Sequence, residues 1–213
     1  MRESRTARSR QLLPPQVIAF ALPQAEIRLW PTFLDADDAD RMMSRLLEEV
    51  PWRRDTVTVF GRAHPIPRLH SWHGDAGARY RWSGLTQVPQ PWTPALAELR
   101  ERLEACLNRR FNSVLANLYR HGRDHMGWHA DDEPELGLQP VIASLSLGAQ
   151  RDFLLRYRGA GAAVDTQRLA LPPGSLLVMQ GSTQEYWQHS LPRRLRVSDP
   201  RINLTFRTVR GSA

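Results

Sequence analysis

The residues with the most chemistry in them are His129 and Asp131, two positions apart in the run from Asn117 to Glu133, and a second histidine, His189, far downstream. In an extended segment side chains alternate, so an imidazole and a carboxylate two apart project to one face. A distal histidine would complete a 2-His-1-carboxylate set, which holds Fe(II) on one face and leaves the opposite positions open for ligands. On its own His-x-Asp is a common pair, and its bland reading is two surface polar residues. Zinc also accepts two histidines and one carboxylate, so a hydrolase is an alternative for the same three residues.

The segment Arg201-Ile202-Asn203-Leu204-Thr205-Phe206-Arg207 changes that balance. It alternates as a strand does, with Arg201, Asn203, Thr205 and Arg207 sharing one face. Two guanidiniums on a buried face need anions, because an unpaired buried charge is costly. A small dicarboxylate is the natural partner, since a guanidinium grips a carboxylate through two parallel hydrogen bonds. A zinc hydrolase would leave both arginines without a task.

Together these residues resemble the AlkB family of Fe(II)/2-oxoglutarate dioxygenases, nucleic-acid dealkylases with a jelly-roll core. The resemblance runs from about Phe60 to Arg207. It rests on Asn117-Leu118-Tyr119, His129-Ala130-Asp131, His189 and the basic strand Arg201 to Arg207, in that order. It implies Fe(II) on His129, Asp131 and His189, which are then also the catalytic residues. It implies 2-oxoglutarate on Asn117, Tyr119, Arg201, Asn203, Thr205 and Arg207, with dioxygen as the third reactant. The implied reaction hydroxylates the alkyl group of an N-alkylated base, of the 1-methyladenine or 3-methylcytosine type. It releases formaldehyde, succinate and CO2 and restores the base.

Val59-Phe60-Gly61 matches an apolar wedge found in the duplex-acting branch of that family, which fills the hole left by a flipped base; a plain hairpin is the alternative. Tyr80 and Trp82 match stacking aromatics above the flipped base. Arg62 and Ser83 flank these motifs and join the substrate-contact set. Asp132 and Glu133, next to the triad, could accept hydrogen bonds from an exocyclic amino group or be two exposed loop carboxylates. The family more often has Phe where Trp82 stands and Tyr where His73 stands, which bears on base preference. The implied partner is alkylated DNA, duplex or single-stranded, with RNA as an alternative. The same chemistry on protein, or a catalytically dead nucleic-acid-binding module, are the other readings.

The elements needed to position these residues can be read from the pattern. Asp35 is set to cap a helix over about residues 36 to 50, with Asp37 and Asp38 in its first turn and Met42, Met43 and Leu46 at helical spacing. Thr93-Pro94 opens a second helix, whose stripe runs Leu96, Leu99, Leu103, Cys106 and Leu107. Strands are expected at Glu26 to Trp30, Thr56 to Phe60, through Asn117, at Val141 to Leu147, Phe153 to Leu155 and Ser175 to Met179. Pro65, Pro67, Gly74 and Gly77 suggest a loop without regular structure. Many short strands and two upstream helices argue for a mainly β fold with flanking helices, a double-stranded β-helix or jelly roll. Residues 1–15 are expected to form a flexible basic arm. Residues 16–213 are expected to form one domain, with 16–110 as nucleotide-recognition lid and supporting helices and 111–210 as the jelly-roll catalytic core.

Composition bounds the rest. The chain has 213 residues, 41% hydrophobic and 24% charged, as an ordinary globular domain does. Its formal net charge is +7, and none of its 29 basic residues is Lys. That balance favours a polyanionic partner, with a genome-wide bias toward Arg as the plainer explanation. The single cysteine, Cys106, excludes an internal disulfide. No apolar run is long enough to cross a bilayer. The sequence-level expectation is a monomer in a bacterial cytosol.

Overall fold

The computed structural model describes residues 16–59, 62–78, 80–82, 85–160 and 164–210. In chain order, β1 (Ile18–Phe20) and β2 (Glu26–Trp30) precede helix α1 (Ala36–Glu49). Four short strands and one longer one follow: β3 (Thr56–Val59), β4 (Arg62–Pro65), β5 (Leu69–Gly74), β6 (Tyr80–Trp82) and β7 (Leu85–Gln87). Helix α2 (Pro94–Leu107) leads into β8 (Ser113–Tyr119), β9 (Met126–His129), β10 (Ile142–Gly148) and β11 (Arg151–Tyr157). The chain continues through β12 (Gln167–Leu171), β13 (Leu176–Gln180), the one-turn helix α3 (Thr183–Tyr186), β14 (Trp187–Leu191) and β15 (Arg201–Arg207).

Both longer helices start where their caps dictate. The Asp35 carboxylate accepts the Asp38 N–H at 2.8 Å, and the Thr93 hydroxyl accepts the Leu96 N–H at 3.3 Å. Helix α2 ends at Asn108, in the left-handed region at φ 49°. Cys106 departs from the expected stripe: it is exposed, because the buried face of α2 ends at Leu103.

The strands form a seven-stranded sheet in the order β1-β2-β13-β10-β15-β8-β5 and a four-stranded sheet in the order β12-β11-β14-β9. All these pairings are antiparallel, as a jelly roll requires. The larger sheet draws β1, β2 and β5 from before residue 110, so position 110 is not a break in it. Its outer face carries Val114, Ala116, Leu145, Ile202, Leu204 and Phe206, and packs on α1 and α2 through Met42, Leu46, Leu96 and Leu99. Its inner face meets the smaller sheet through a second apolar cluster that includes Ile142, Phe153, Leu155, Leu177 and Trp187. No described helix is long and apolar enough to cross a membrane.

One expected loop is a strand. Leu69–Gly74 pairs along its whole length with β8. Its polar residues hide its periodicity, yet they are satisfied in place. Ser71 Oγ and His73 Nε2 lie 3.0 Å apart, and His73 Nδ1 lies 2.7 Å from the Pro91 carbonyl. Sheet membership, rather than apolar alternation, decides this segment.

Two stability outcomes follow from the helix layer. Leu46→Ala removes a fully buried side chain between α1 and the sheet and is expected to cost roughly 2–5 kcal/mol in urea unfolding. Asp35→Ala is expected to cost about 1 kcal/mol in the same measurement through loss of the cap alone.

Candidate active site

Register brings the two histidines together. His189 on β14 is the Cα partner of His129 on β9. Their ring centroids lie 4.1 Å apart, and Phe153 stacks on His189 at 5.1 Å. Asp131 follows, with its Oδ2 4.0 Å from His189 Nε2. Among the described residues, His129, Asp131 and His189 form a group whose donor atoms all lie within 4.8 Å of one another.

The expected cause of that convergence needs correction. Strand β9 ends at His129, so alternation does not place Asp131. Two long-range contacts do. The Gln184 side-chain carbonyl accepts the Asp131 N–H at 2.9 Å, and Arg207 donates to Asp131 Oδ1 at 2.5 Å. Gln184 comes from α3; it is buried and five residues ahead of His189.

The electrostatics suit a divalent cation. Burial alone would raise the Asp131 carboxyl, but Arg207 and the two histidines outweigh it and hold it below the usual range. Its Oδ2 is buried and has no hydrogen-bond partner among the described residues. His129 Nδ1 lies 2.9 Å from the Gly127 carbonyl, and a proton donated there leaves Nε2 as a free lone pair. Burial, reinforced by His129, pushes His189 down to about 3. His189 is thus a neutral imidazole at pH 7, as a metal ligand must be. These residues fit Fe(II).

The inner face of β15 points into the same cavity, as its alternation predicts. Arg201, Asn203, Thr205 and Arg207 line it with Tyr119 and Asn117 of β8. Asn203 Nδ2 donates to Ser144 Oγ at 2.8 Å and the Thr205 hydroxyl donates to Asn203 Oδ1 at 3.3 Å. Arg201 is 1% exposed and donates to Ser146 Oγ at 2.9 Å, while its Nε is buried with no partner among the described residues. No carboxylate among the described residues forms an ion pair with it. Burial lowers its pKa to about 10, with Tyr119 opposing and Arg151 adding to the shift. Such a cation fits the far carboxylate of a dicarboxylate.

A wider cavity of about 320 Å³ opens over His129 and Asp131. Arg68, His70, Trp72, Trp128 and Glu133 are among the residues that line it. Arg68 Nε donates to Asn117 Oδ1 at 2.7 Å, so Asn117 is committed to this wall. Glu133 presents a buried Oε2 with no partner among the described residues. Asp132 instead forms an ion pair with Arg158 at 2.8 Å and does not line the cavity. Phe60, Gly61 and Ser83, with the side chains of Val59, Arg62, Tyr80 and Trp82, lie outside the described residues.

Sequence reading missed Gln184, Arg68 and Arg151. Arg151 alternates with Phe153 and Leu155 on the inner face of β11, a period-2 signal that was available. Gln184 and Arg68 carry no such signal, because their contacts lie 53 and 49 residues away.

Comparison with known proteins agrees with this geometry. Residues 26–207 match the model of the 2OG-Fe(II) oxygenase superfamily. The chain is 41% identical over 192 residues to human alpha-ketoglutarate-dependent dioxygenase alkB homolog 3, covering 87% of this chain and 66% of that protein. It thus spans just under two thirds of that relative. It is 44% identical over 180 residues to mouse DNA oxidative demethylase ALKBH2, covering 81% of this chain and 75% of that protein. Among solved structures, "The structure of OsALKBH1" superposes with a TM-score of 0.61 at 18% identity, over 89% of this chain and 98% of that one. At that identity it speaks for the fold alone.

Two outcomes are expected here. Gln184→Ala should weaken metal binding about 10- to 100-fold in calorimetric titration with Mn(II), since it frees the backbone of one ligand. An unfolded histidine takes up a proton near pH 6.5, but folded His189 resists until about 3. The unfolded chain therefore binds more protons between those values. This contribution to stability is complete above pH 6.5 and is lost as pH falls toward 3. For metal-free protein, the fall in urea stability below pH 6.5, up to roughly 1 kcal/mol per pH unit, should be shallower in His189→Gln.

Proposed function

The chain belongs to the 2OG-Fe(II) oxygenase superfamily, and from that premise we propose that it is an oxidative demethylase of N-alkylated bases in DNA. The observation that carries this reading is the pairing of two cavities on one triad. The inner one ends in Arg201, a buried guanidinium with no carboxylate partner among the described residues. The outer one is wide, open to solvent and lined by aromatic and charged side chains. The likeness to alkB homolog 3 and to DNA oxidative demethylase ALKBH2 supports alkylated DNA as the substrate.

In this reading His129, Asp131 and His189 hold Fe(II). The bound iron, with 2-oxoglutarate and dioxygen, supplies oxidation of the alkyl carbon, with the co-substrate leaving as succinate and CO2. Arg201 grips the far carboxylate of 2-oxoglutarate beside Tyr119, and Asn203 and Thr205 fix its length along β15. Arg207 holds Asp131 in place. Phe153 and the walls of β8 and β15 exclude water from the inner cavity. In the outer cavity Glu133 accepts from an exocyclic amino group of the flipped base, with Trp72 and Trp128 as apolar walls. Phe60 enters the stack as the wedge, and Tyr80 and Trp82 cover the base. The hydroxymethyl product then breaks its N–C bond: the electron pair returns to the ring nitrogen, the hydroxyl proton passes to solvent, and formaldehyde leaves. In this reading the chain acts as a monomer.

The test uses a short duplex carrying one 1-methyladenine or 3-methylcytosine, incubated aerobically with Fe(II), ascorbate and 2-oxoglutarate. Mass spectrometry should find the loss of one CH2, absent with Asp131→Ala and absent without 2-oxoglutarate. Succinate formed without any change in the DNA would move the substrate to RNA or protein. Neither product would overturn the assignment. Phe60→Ala should lower turnover on the duplex more than on the single strand, and equal loss on both would remove the wedge.

A further inference from the structure

Behind Tyr119, outside the lining of the inner cavity, lies a second buried cation. Arg151 of β11 is 2% exposed. Its guanidinium carbon lies 6.0 Å from the centroid of the Tyr119 ring, and that of Arg201 lies 5.5 Å from the same centroid. Two guanidiniums from opposite sheets therefore converge on one phenol. Neither forms an ion pair with a carboxylate among the described residues. Arg151 Nη2 donates to the carbonyls of Asp124 at 2.9 Å and Pro192 at 2.7 Å, Nη1 reaches the His121 carbonyl at 3.5 Å, and its Nε has no partner among the described residues. The Asp124 carboxylate is committed to Arg120.

Neutral acceptors orient a buried guanidinium without cancelling its charge, and Asp124 and Asp152 act on Arg151 only at a distance. A staple for three loop carbonyls needs donors, not a fixed positive charge against a ring that already faces Arg201. We propose that Arg151 is a positioning residue for the co-substrate, which adds a second positive charge behind Tyr119 and so selects a 2-oxo acid that ends in a carboxylate. This rests on the reading that the cavity takes 2-oxoglutarate. At the separations involved, one extra charge in a partly desolvated site is worth on the order of tenfold in affinity for an anion.

The test compares 2-oxoglutarate with 2-oxopentanoate, which has the same chain with a methyl in place of the far carboxylate. Dissociation constants are measured by calorimetry on full-length protein loaded with Mn(II). Arg151→Gln keeps donors for the carbonyls and removes the charge. It should weaken 2-oxoglutarate roughly tenfold, leave 2-oxopentanoate unchanged, and so lower the ratio between them. Equal weakening of both acids, or of neither, would reduce Arg151 to a staple and overturn the proposal. Arg201→Gln serves as the control. If it too leaves the ratio intact, the 2-oxoglutarate reading of this cavity fails, whereas loss of the ratio with Arg201→Gln alone fails only the role of Arg151. Should Arg151→Gln not fold, Arg151→Lys keeps the charge and loses the fork. It should retain the ratio, and a fall to the Arg201→Gln level would overturn the proposal.

Discussion

The contact between Arg207 and Asp131 is the constraint on which the rest of the site depends. Both side chains are buried, and they join the end of β15 in the larger sheet to the loop after β9 in the smaller one. A carboxylate taken out of water needs a partner, and a buried pair broken on one side costs about 3–5 kcal/mol. The pair therefore clamps the sheets where the triad sits. It also holds Asp131 ionised, with Oδ1 occupied and Oδ2 without a hydrogen-bond partner among the described residues. A carboxylate so held is a ligand aimed before any metal arrives.

Around that clamp the protein separates its polarities by sheet face. The outer face of β8, β10 and β15 is apolar and carries the helices. The inner face carries Asn117, Tyr119, Ser144, Ser146, Arg201, Asn203 and Thr205. Strand alternation makes this possible at no cost in backbone hydrogen bonds, since each ladder is complete whichever face is polar. The small hydroxyls of Ser144 and Ser146 satisfy Asn203 and Arg201 without filling the cavity. Among the described residues, Asp131 Oδ2 and Arg201 Nε lack hydrogen-bond partners at the two places where ligands would bind.

Much of this was legible in the sequence. The caps Asp35 and Thr93 set both helix starts, because a cap acts over three residues. The alternation from Arg201 to Arg207 set which side chains share the cavity. The same rule applied to Arg151-Asp152-Phe153 would have placed Arg151 on the buried face of β11 as well. Where local pattern was a poor guide, a distant partner had taken over. Leu69–Gly74 read as loop because its histidines and serine mask the period, and pairing with β8 makes it a strand. Cys106 continued a helical stripe that the sheet no longer covers.

By itself the sequence determined the two long helices, the faces of most strands, and a candidate set of metal-ligating and anion-binding residues in a specific order. Each of these depends on neighbours within a few positions, so each is written in the local pattern. Only the tertiary structure decided that His129 lies opposite His189, that Gln184 and Arg207 aim Asp131, and that Arg151 meets Arg201 across Tyr119. Those relations join residues as far apart as Tyr119 and Arg201, which lie 82 positions apart (201 − 119). They follow from strand register and from how two sheets stack, which the packing of the whole core selects and no short segment encodes.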